Sequence, residues 1–268
     1  MARTTIADRF AALQTRGDRA LVCYITAGHP NEQASLTLMG GLADAGADVI
    51  EVGVPFSDPL ADGPVIQASS QRALALGITY DRTLELIARA DMRVPVVVFS
   101  YLNPVLAAGP DALRRAADAG ASGVLITDLP VGADPEREAW LGDSGLAYIR
   151  LVAPTTPAHR MAEIARHGSG FVYVISRLGV TGARADLPAD LPATMARLRS
   201  VTDLPACVGF GVSRPEQAAA VASLADGVVV GSALVRAADD ALDSAFELVR
   251  TMRVALDSVS PRPAASSV

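Results

Sequence analysis

The 268-residue chain carries 29 acidic against 23 basic side chains, all of the latter arginine, for a formal charge of −6. An acidic chain with dispersed arginine has no basic stripe to hold nucleic acid, and no apolar run reaches the roughly 18 residues a membrane span needs. Half the residues are apolar and only 4% aromatic, which suits an aliphatic core in one barrel of roughly 250 residues or in two small domains. The opening MARTTIADRF has no apolar h-region, so no secretory signal is expected and the protein reads as cytoplasmic. Cys23 and Cys207 sit in apolar runs without paired spacings and read as buried, reduced thiols. His29, His159 and His167 are not spaced to chelate, and there is no CxxC, so no metal is expected.

In chain order, Thr4–Gln14 predicts an extra N-terminal helix, and Leu21–Thr26 the first strand. Helix Asn31–Ala45 leads to strand Asp48–Val52, and helix Asp81–Ala90 to strand Pro95–Ser100. Helix Asp111–Ala119 precedes strand Gly123–Thr127, and helix Asp134–Leu141 precedes strand Ala147–Val152. Helix Pro157–Arg166 precedes strand Gly170–Ser176, helix Leu191–Ser200 precedes Ala206–Gly209, and helix Arg214–Ala222 precedes Gly227–Gly231. Ser232–Ala237 predicts a short extra helix, and Ala238–Leu256 a long closing one. The strands are β-branched and nearly continuous in hydrophobicity, as parallel strands buried on both faces are.

"DAGADVIEVG" (Asp44–Gly53), "DAGASGVLITD" (Asp118–Asp128) and "RHGSGFVYVIS" (Arg166–Ser176) share one outline: a helix end, a glycine, a buried strand. The glycine suits the left-handed position that ends a helix. Repeated βα units also build open doubly wound sheets. Eight strands with no second composition regime favour closure into a (β/α)₈ TIM barrel, one α/β domain over residues 1–257. The Pro/Ser/Ala-rich segment 258–268 is expected to be a disordered tail.

The densest chemical signal is Val49–Pro64, "VIEVGVPFSDPLADGP". Glu51 lies inside an apolar strand, where an unpaired charge costs several kcal/mol. A closed barrel offers no free edge to solvate it. Alternation puts Glu51 on the face opposite Ile50 and Val52, so it points into the barrel if they pack on helices. Such a carboxyl has a raised pKa and can exchange protons near neutral pH. The following loop is long and holds Asp58 and Asp62. Either can fold back toward Glu51 or serve as an Asx turn, with spacing favouring Asp62 only slightly.

"SRLGVTG" (Ser176–Gly182), "GFGV" (Gly209–Val212) and "VGSALV" (Val230–Val235) follow the last three strands. Glycine lets backbone amides approach an anion, and a helix start adds orphan N–H groups and about half a positive charge. Three such turns on consecutive loops predict a phosphate cradle. Tyr24, Tyr101, Tyr173 and Phe210 fall at or near strand ends and would wall a pocket for a planar group.

Together, "EVGVPFSDPLADGP", "SRLGVTG", "GFGVSRPEQ" and "VVGSALV" resemble the α-subunit family of tryptophan synthase, over Ile6–Met252. The resemblance implies retro-aldol cleavage of indole-3-glycerol phosphate to indole and glyceraldehyde 3-phosphate. It implies Glu51 as general acid/base, Asp62 on the ring N–H, and Tyr173 against substrate and Glu51. Gly182, Gly211, Gly231 and Ser232 would hold phosphate, and Thr181 would meet Asp62 on loop closure. Tyr24, Tyr101, Leu125, Thr127, Tyr173 and Phe210 would line the indole site. The implied partner is a β-subunit carrying pyridoxal phosphate, in an α2β2 complex; this chain has no lysine for a Schiff base, and no cofactor is expected in it. Two positions depart from the family: Tyr24 stands where many relatives have Phe, and "DLPVGADPE" lacks the acids many carry after Pro-Val. Other readings are a stand-alone lyase releasing free indole, a catalytically idle activating subunit, and a different phosphosugar barrel.

Overall fold

Eight apolar runs become eight parallel strands in a computed structural model that describes residues 4–175, 189–209 and 211–259. The strands are β1 (Ala20–Thr26), β2 (Val49–Gly53), β3 (Val96–Ser100), β4 (Gly123–Ile126), β5 (Ala147–Val152), β6 (Val172–Ile175), β7 (Ala206–Gly209) and β8 (Gly227–Val230). They pair in sequence order and β8 returns to β1, closing the barrel. The helices that wrap it begin with α1 (Ile6–Arg16), α2 (Glu32–Ala45), α3 (Pro64–Ala75), α4 (Tyr80–Ala90), α5 (Leu102–Ala107) and α6 (Ala112–Ala119). They continue with α7 (Pro135–Gly142), α8 (Ala158–Arg166), α9 (Leu191–Arg199), α10 (Pro215–Ala222), α11 (Ser232–Asp240) and α12 (Leu242–Asp257).

Successive side chains on a strand point to opposite faces, and the core accordingly divides in two. Leu21, Cys23, Ile50, Val52 and Val98 pack outward with Leu38, Leu42 and Val249 of the helices. Val22, Tyr24, Val49, Val97, Phe99, Leu125, Ile149, Tyr173 and Cys207 fill the barrel itself. Both cysteines are free and buried, one in each layer.

The extra N-terminal helix plugs the barrel floor. Thr5 and Asp8 form a capping box that starts α1, and Ile6, Phe10 and Leu13 enter the inner cluster. The Phe10 and Phe171 rings lie 5.6 Å apart. Beside them Asp48 accepts from Arg9 Nη2 (2.6 Å), Arg253 Nη1 (3.0 Å) and the Leu21 amide (2.8 Å), tying α1, β1 and α12 together.

Four expectations need correction. First, α1 starts two residues later than predicted because Thr5 is its cap and not its body. Second, the boundary between the short extra helix and the closing helix falls at Ala241 (extended, φ −167°, ψ 150°) and not between Ala237 and Ala238: α11 runs from Ser232 to Asp240 and α12 starts at Leu242. No Gly or Pro marks that break, so its position could not be read from the residues. Third, α3 and α5 were not predicted. In α3 two of the four buried positions are Ser69 and Ser70, which hides the apolar period. Fourth, Gly46 and Gly120 are left-handed helix ends (φ 114° and 115°), as the repeat predicts. In the third copy the helix ends at His167, and the left-handed residue is Gly170 (φ 79°). Gly168 is small there for packing, since a Cβ would lie 2.8 Å from Arg150 Cγ.

Candidate active site

Ile50 and Val52 pack outward, so Glu51 points into the barrel, level with Tyr24 of β1 and Val97 of β3. It is wholly buried, and neither carboxyl oxygen has a hydrogen-bond partner. Burial pushes its pKa from 4.5 up to about 8, so at neutral pH the group holds its proton. Asp62 lies on the loop after β2. Burial raises its pKa from 3.8 to about 6, with a hydrogen bond from Tyr101 opposing the rise, so most of it is ionised at neutral pH. Its position one residue before Gly63, the N-cap of α3, also favours the anion, because a helix start attracts negative charge.

The loop is held in place by Tyr101, which follows β3 and caps α5. The Ala61 amide donates to Tyr101 Oη at 2.9 Å, and the Phe56 ring packs 5.2 Å from the Tyr101 ring. Asp58 lies outside this arrangement: it is exposed and takes a hydrogen bond from Ser57 Oγ at 2.5 Å.

Glu51 and Asp62 border one cavity with Tyr24, Phe99, Tyr173, Ile66, Gly211, Val212, Gly231 and Ser232. It encloses about 500 Å³, including its solvent-facing part. Tyr24 meets Phe99 edge to face, with centroids 5.2 Å apart at 78°. Its hydroxyl rests over Gly53, where a Cβ would collide with it, as one at Gly209 would collide with the Tyr173 hydroxyl. Burial raises the pKa of both phenols, so both are neutral hydrogen-bonding groups. Thr26 Oγ1 lies 3.5 Å from Tyr24 Oη and 2.7 Å from Ser69 Oγ of α3.

The opposite wall suits an anion. Helix α11 opens at Gly231 with no side-chain cap and no acid in its first turn, and the first amides of any helix have no acceptor within it. Gly211 is left-handed (φ 101°), with no atom within 4 Å of where a Cβ would stand. The arrangement therefore offers a protonated acid, a carboxylate, two phenols and an amide cradle around one apolar space.

Comparison with known proteins decides the family. The model described as "Tryptophan synthase alpha chain" matches residues 10–260. The tryptophan synthase alpha chain of Carboxydothermus hydrogenoformans is 47% identical over 264 residues, covering 95% of this chain and 99% of that protein. The alpha chain of Gluconacetobacter diazotrophicus is 47% identical over 243 residues, covering 89% of each. Among solved structures, tryptophan synthase subunit alpha of Legionella pneumophila superposes with a TM-score of 0.87 at 36% identity, covering 96% of this chain and 100% of that one.

The chain belongs to the tryptophan synthase alpha chain family.

That family is one of lyases, and it favours the subunit reading over a stand-alone lyase or an idle activator. In this alpha chain Glu51, Asp62, Tyr24, Tyr173, Gly211, Gly231 and Ser232 come together, as the sequence suggested. Three residues expected at the indole pocket do not border it. Tyr101 turns to the Asp62 loop, and Leu125 is sealed in the inner core. β4 stops at Ile126, so Thr127 enters a turn and borders a separate hollow with Pro130 and Arg160. Thr181, Gly182 and Phe210 lie outside the described residues.

Phe99 and Ile66 border the cavity and were not singled out in the sequence, while Gly63 and Val212 fall inside the quoted motifs without a role of their own. Phe99 had a signal: it shares strand parity with Val97, the neighbour of Glu51. Ile66 had none, because it sits on the unpredicted α3. Among the described residues, no group of three His, Cys, Asp or Glu is placed to hold a metal ion, and no helix is long and apolar enough to cross a membrane.

Proposed function

We propose that this alpha chain cleaves indole-3-glycerol phosphate to indole and glyceraldehyde 3-phosphate in the cytoplasm. A β-subunit carrying pyridoxal phosphate would take up the indole within an α2β2 complex. The observation that supports this reading best is Glu51: a buried carboxyl with no partner of its own, facing a cavity that Asp62 borders from another side.

Carbon–carbon cleavage from an indole ring needs an electron sink. Glu51 delivers its proton to indole C3, which converts the ring to an indoleninium cation with charge at N1. Asp62, mainly ionised, accepts the N1 hydrogen bond and stabilises that cation. The Glu51 carboxylate then withdraws the proton from the hydroxyl on the carbon attached to C3. The C–C electron pair returns to the ring, restoring indole, and the hydroxyl carbon becomes the aldehyde of glyceraldehyde 3-phosphate. One proton leaves Glu51 and one returns, so the enzyme ends as it began.

Tyr173, which lies beside Glu51, orients the reacting carbon. Tyr24, Phe99 and Ile66 flank the ring, and the amides at Gly211, Gly231 and Ser232 take the phosphate. By family resemblance, Gly182 adds an amide, and Thr181 meets Asp62 as the site shuts. Residues 1–257 carry the whole activity as one domain.

The test is to supply indole-3-glycerol phosphate to the purified chain, with and without a β-subunit, and to measure indole and aldehyde. Slow cleavage by the chain alone, strongly stimulated by the partner, is expected. No cleavage in either condition would overturn the reading.

A further inference from the structure

Helix α11 ends on two acids, Asp239 and Asp240, with no basic residue in its last turn. Negative charge at a helix C-terminus works against the helix dipole, so the placement calls for partners outside the helix. Asp239 has two. Arg72 Nη1 of α3 pairs with its Oδ1. His29 Nε2, from the turn after β1, lies 3.3 Å from the same oxygen.

His29 is only 2% exposed, and neither ring nitrogen has an aligned hydrogen bond. The Val235 carbonyl of α11 also bears on the ring. Burial above all, with Arg72 adding to it, lowers the imidazole's pKa against the opposing pull of Asp239 and that carbonyl. The ring is therefore neutral at neutral pH, and Arg72 balances the charge of Asp239. Three elements thus meet on one carboxylate: the β1 turn, α3 and α11.

The two helices joined there open on the same cavity. Gly63 and Ile66 at the start of α3, and Gly231 and Ser232 at the start of α11, all border it. Asp62 immediately precedes α3. Because Ala241 is extended, α12 does not continue the axis of α11 but packs against its side, leaving the salt bridge at Asp239 as the tie from the end of α11 to α3. Asp239 stands about 10 Å along the axis from Ser232, at roughly 1.5 Å per residue. A change at Asp239 therefore acts through a lever on the amides.

We propose that Asp239 is a positioning residue: paired with Arg72 and set against the buried His29 ring, it sets α11 against α3 and so fixes the span between the Gly231–Ser232 amides and the Asp62 carboxyl. The inference rests on the phosphate reading of α11. A substrate gripped at both ends tolerates little error in that span, whereas a small anion follows the amides wherever they move.

The experiment compares D239N and R72Q with the parent. Arg72 is exposed, so R72Q keeps the question open to measurement even if D239N fails to fold. Inorganic phosphate binding is measured by calorimetry, and kcat and KM with indole-3-glycerol phosphate and β-subunit present. The expected result is phosphate affinity within about twofold of the parent and kcat/KM down roughly tenfold or more, since misplacement near 1 Å can cost on the order of a hundredfold. The conservative D239E is expected to recover part of the loss. Unchanged kcat/KM in both variants would overturn the inference, as would phosphate binding and turnover falling together, which marks a melted helix. If the parent itself binds no phosphate, the anion reading fails and this inference goes with it.

Discussion

Replacing Glu51 with glutamine is expected to trade activity for stability at alkaline pH. The parent carboxyl is buried without a partner, and its pKa rises from 4.5 to about 8 on folding. The folded state therefore binds this proton more tightly than the unfolded chain does. The associated stability is fully present below pH 4.5 and is lost as pH rises through about 8. At about 1.4 kcal/mol per pH unit, the full loss is roughly 5 kcal/mol. Glutamine cannot ionise, so E51Q lacks this loss. Its buried amide adds an offset of its own, but that offset does not vary with pH. Urea unfolding of both proteins from pH 5 to 9 gives the two curves. The stability of E51Q relative to the parent is expected to climb across the interval from 4.5 to about 8 and to level off above it. Over the same series, indole release by E51Q is expected to fall by at least about a thousandfold, with phosphate binding retained. A pH-independent stability difference would refute the burial of an ionisable Glu51. Substantial turnover by E51Q would remove it from the chemistry.

The pH dependence of kcat/KM is expected to be bell-shaped, with an acid limb near 6 from Asp62 and an alkaline limb near 8 from Glu51. The limbs have these signs because the first group works ionised and the second protonated; D62N is expected to lose most activity and the acid limb together, and a surviving limb would assign it elsewhere. Gly53→Ala places a Cβ against the Tyr24 hydroxyl. It is expected to destabilise the fold by about 1–3 kcal/mol, with partial recovery in G53A/Y24L measured by a double-mutant cycle. Asp48→Ala strands Arg9, Arg253 and the Leu21 amide. A loss of about 3–5 kcal/mol in urea unfolding is expected, and a loss under 1 kcal/mol would show that solvent replaces the carboxylate.

Much of the barrel could be read locally. Strands such as Ala147–Val152 and Ala206–Gly209 match the predicted bounds, because a parallel strand buried on both faces is an apolar run whatever surrounds it. Glu51 stood out for the same reason: a carboxyl in such a run has few bland explanations. The choice between Asp58 and Asp62 could not be read this way. Both lie in the same loop, and the difference between them is made by Tyr101, which lies just past β3, about 40 residues on, and holds the Ala61 amide. Phe99 and Ile66 were missed in different ways: one carried a parity signal that went unused, while the other sat on a helix whose period was masked by buried serines.

Alternation, turn glycines and helix caps are interactions between near neighbours, so residue order alone was enough to set the eight strands, most of the helices between them and the inward face of β2. Desolvation and long-range contact are properties of the packed molecule. The proton held on Glu51, the folding of Asp62 over the barrel mouth and the joining of α3 to α11 through Asp239 all depend on groups that only closure of the barrel brings within reach.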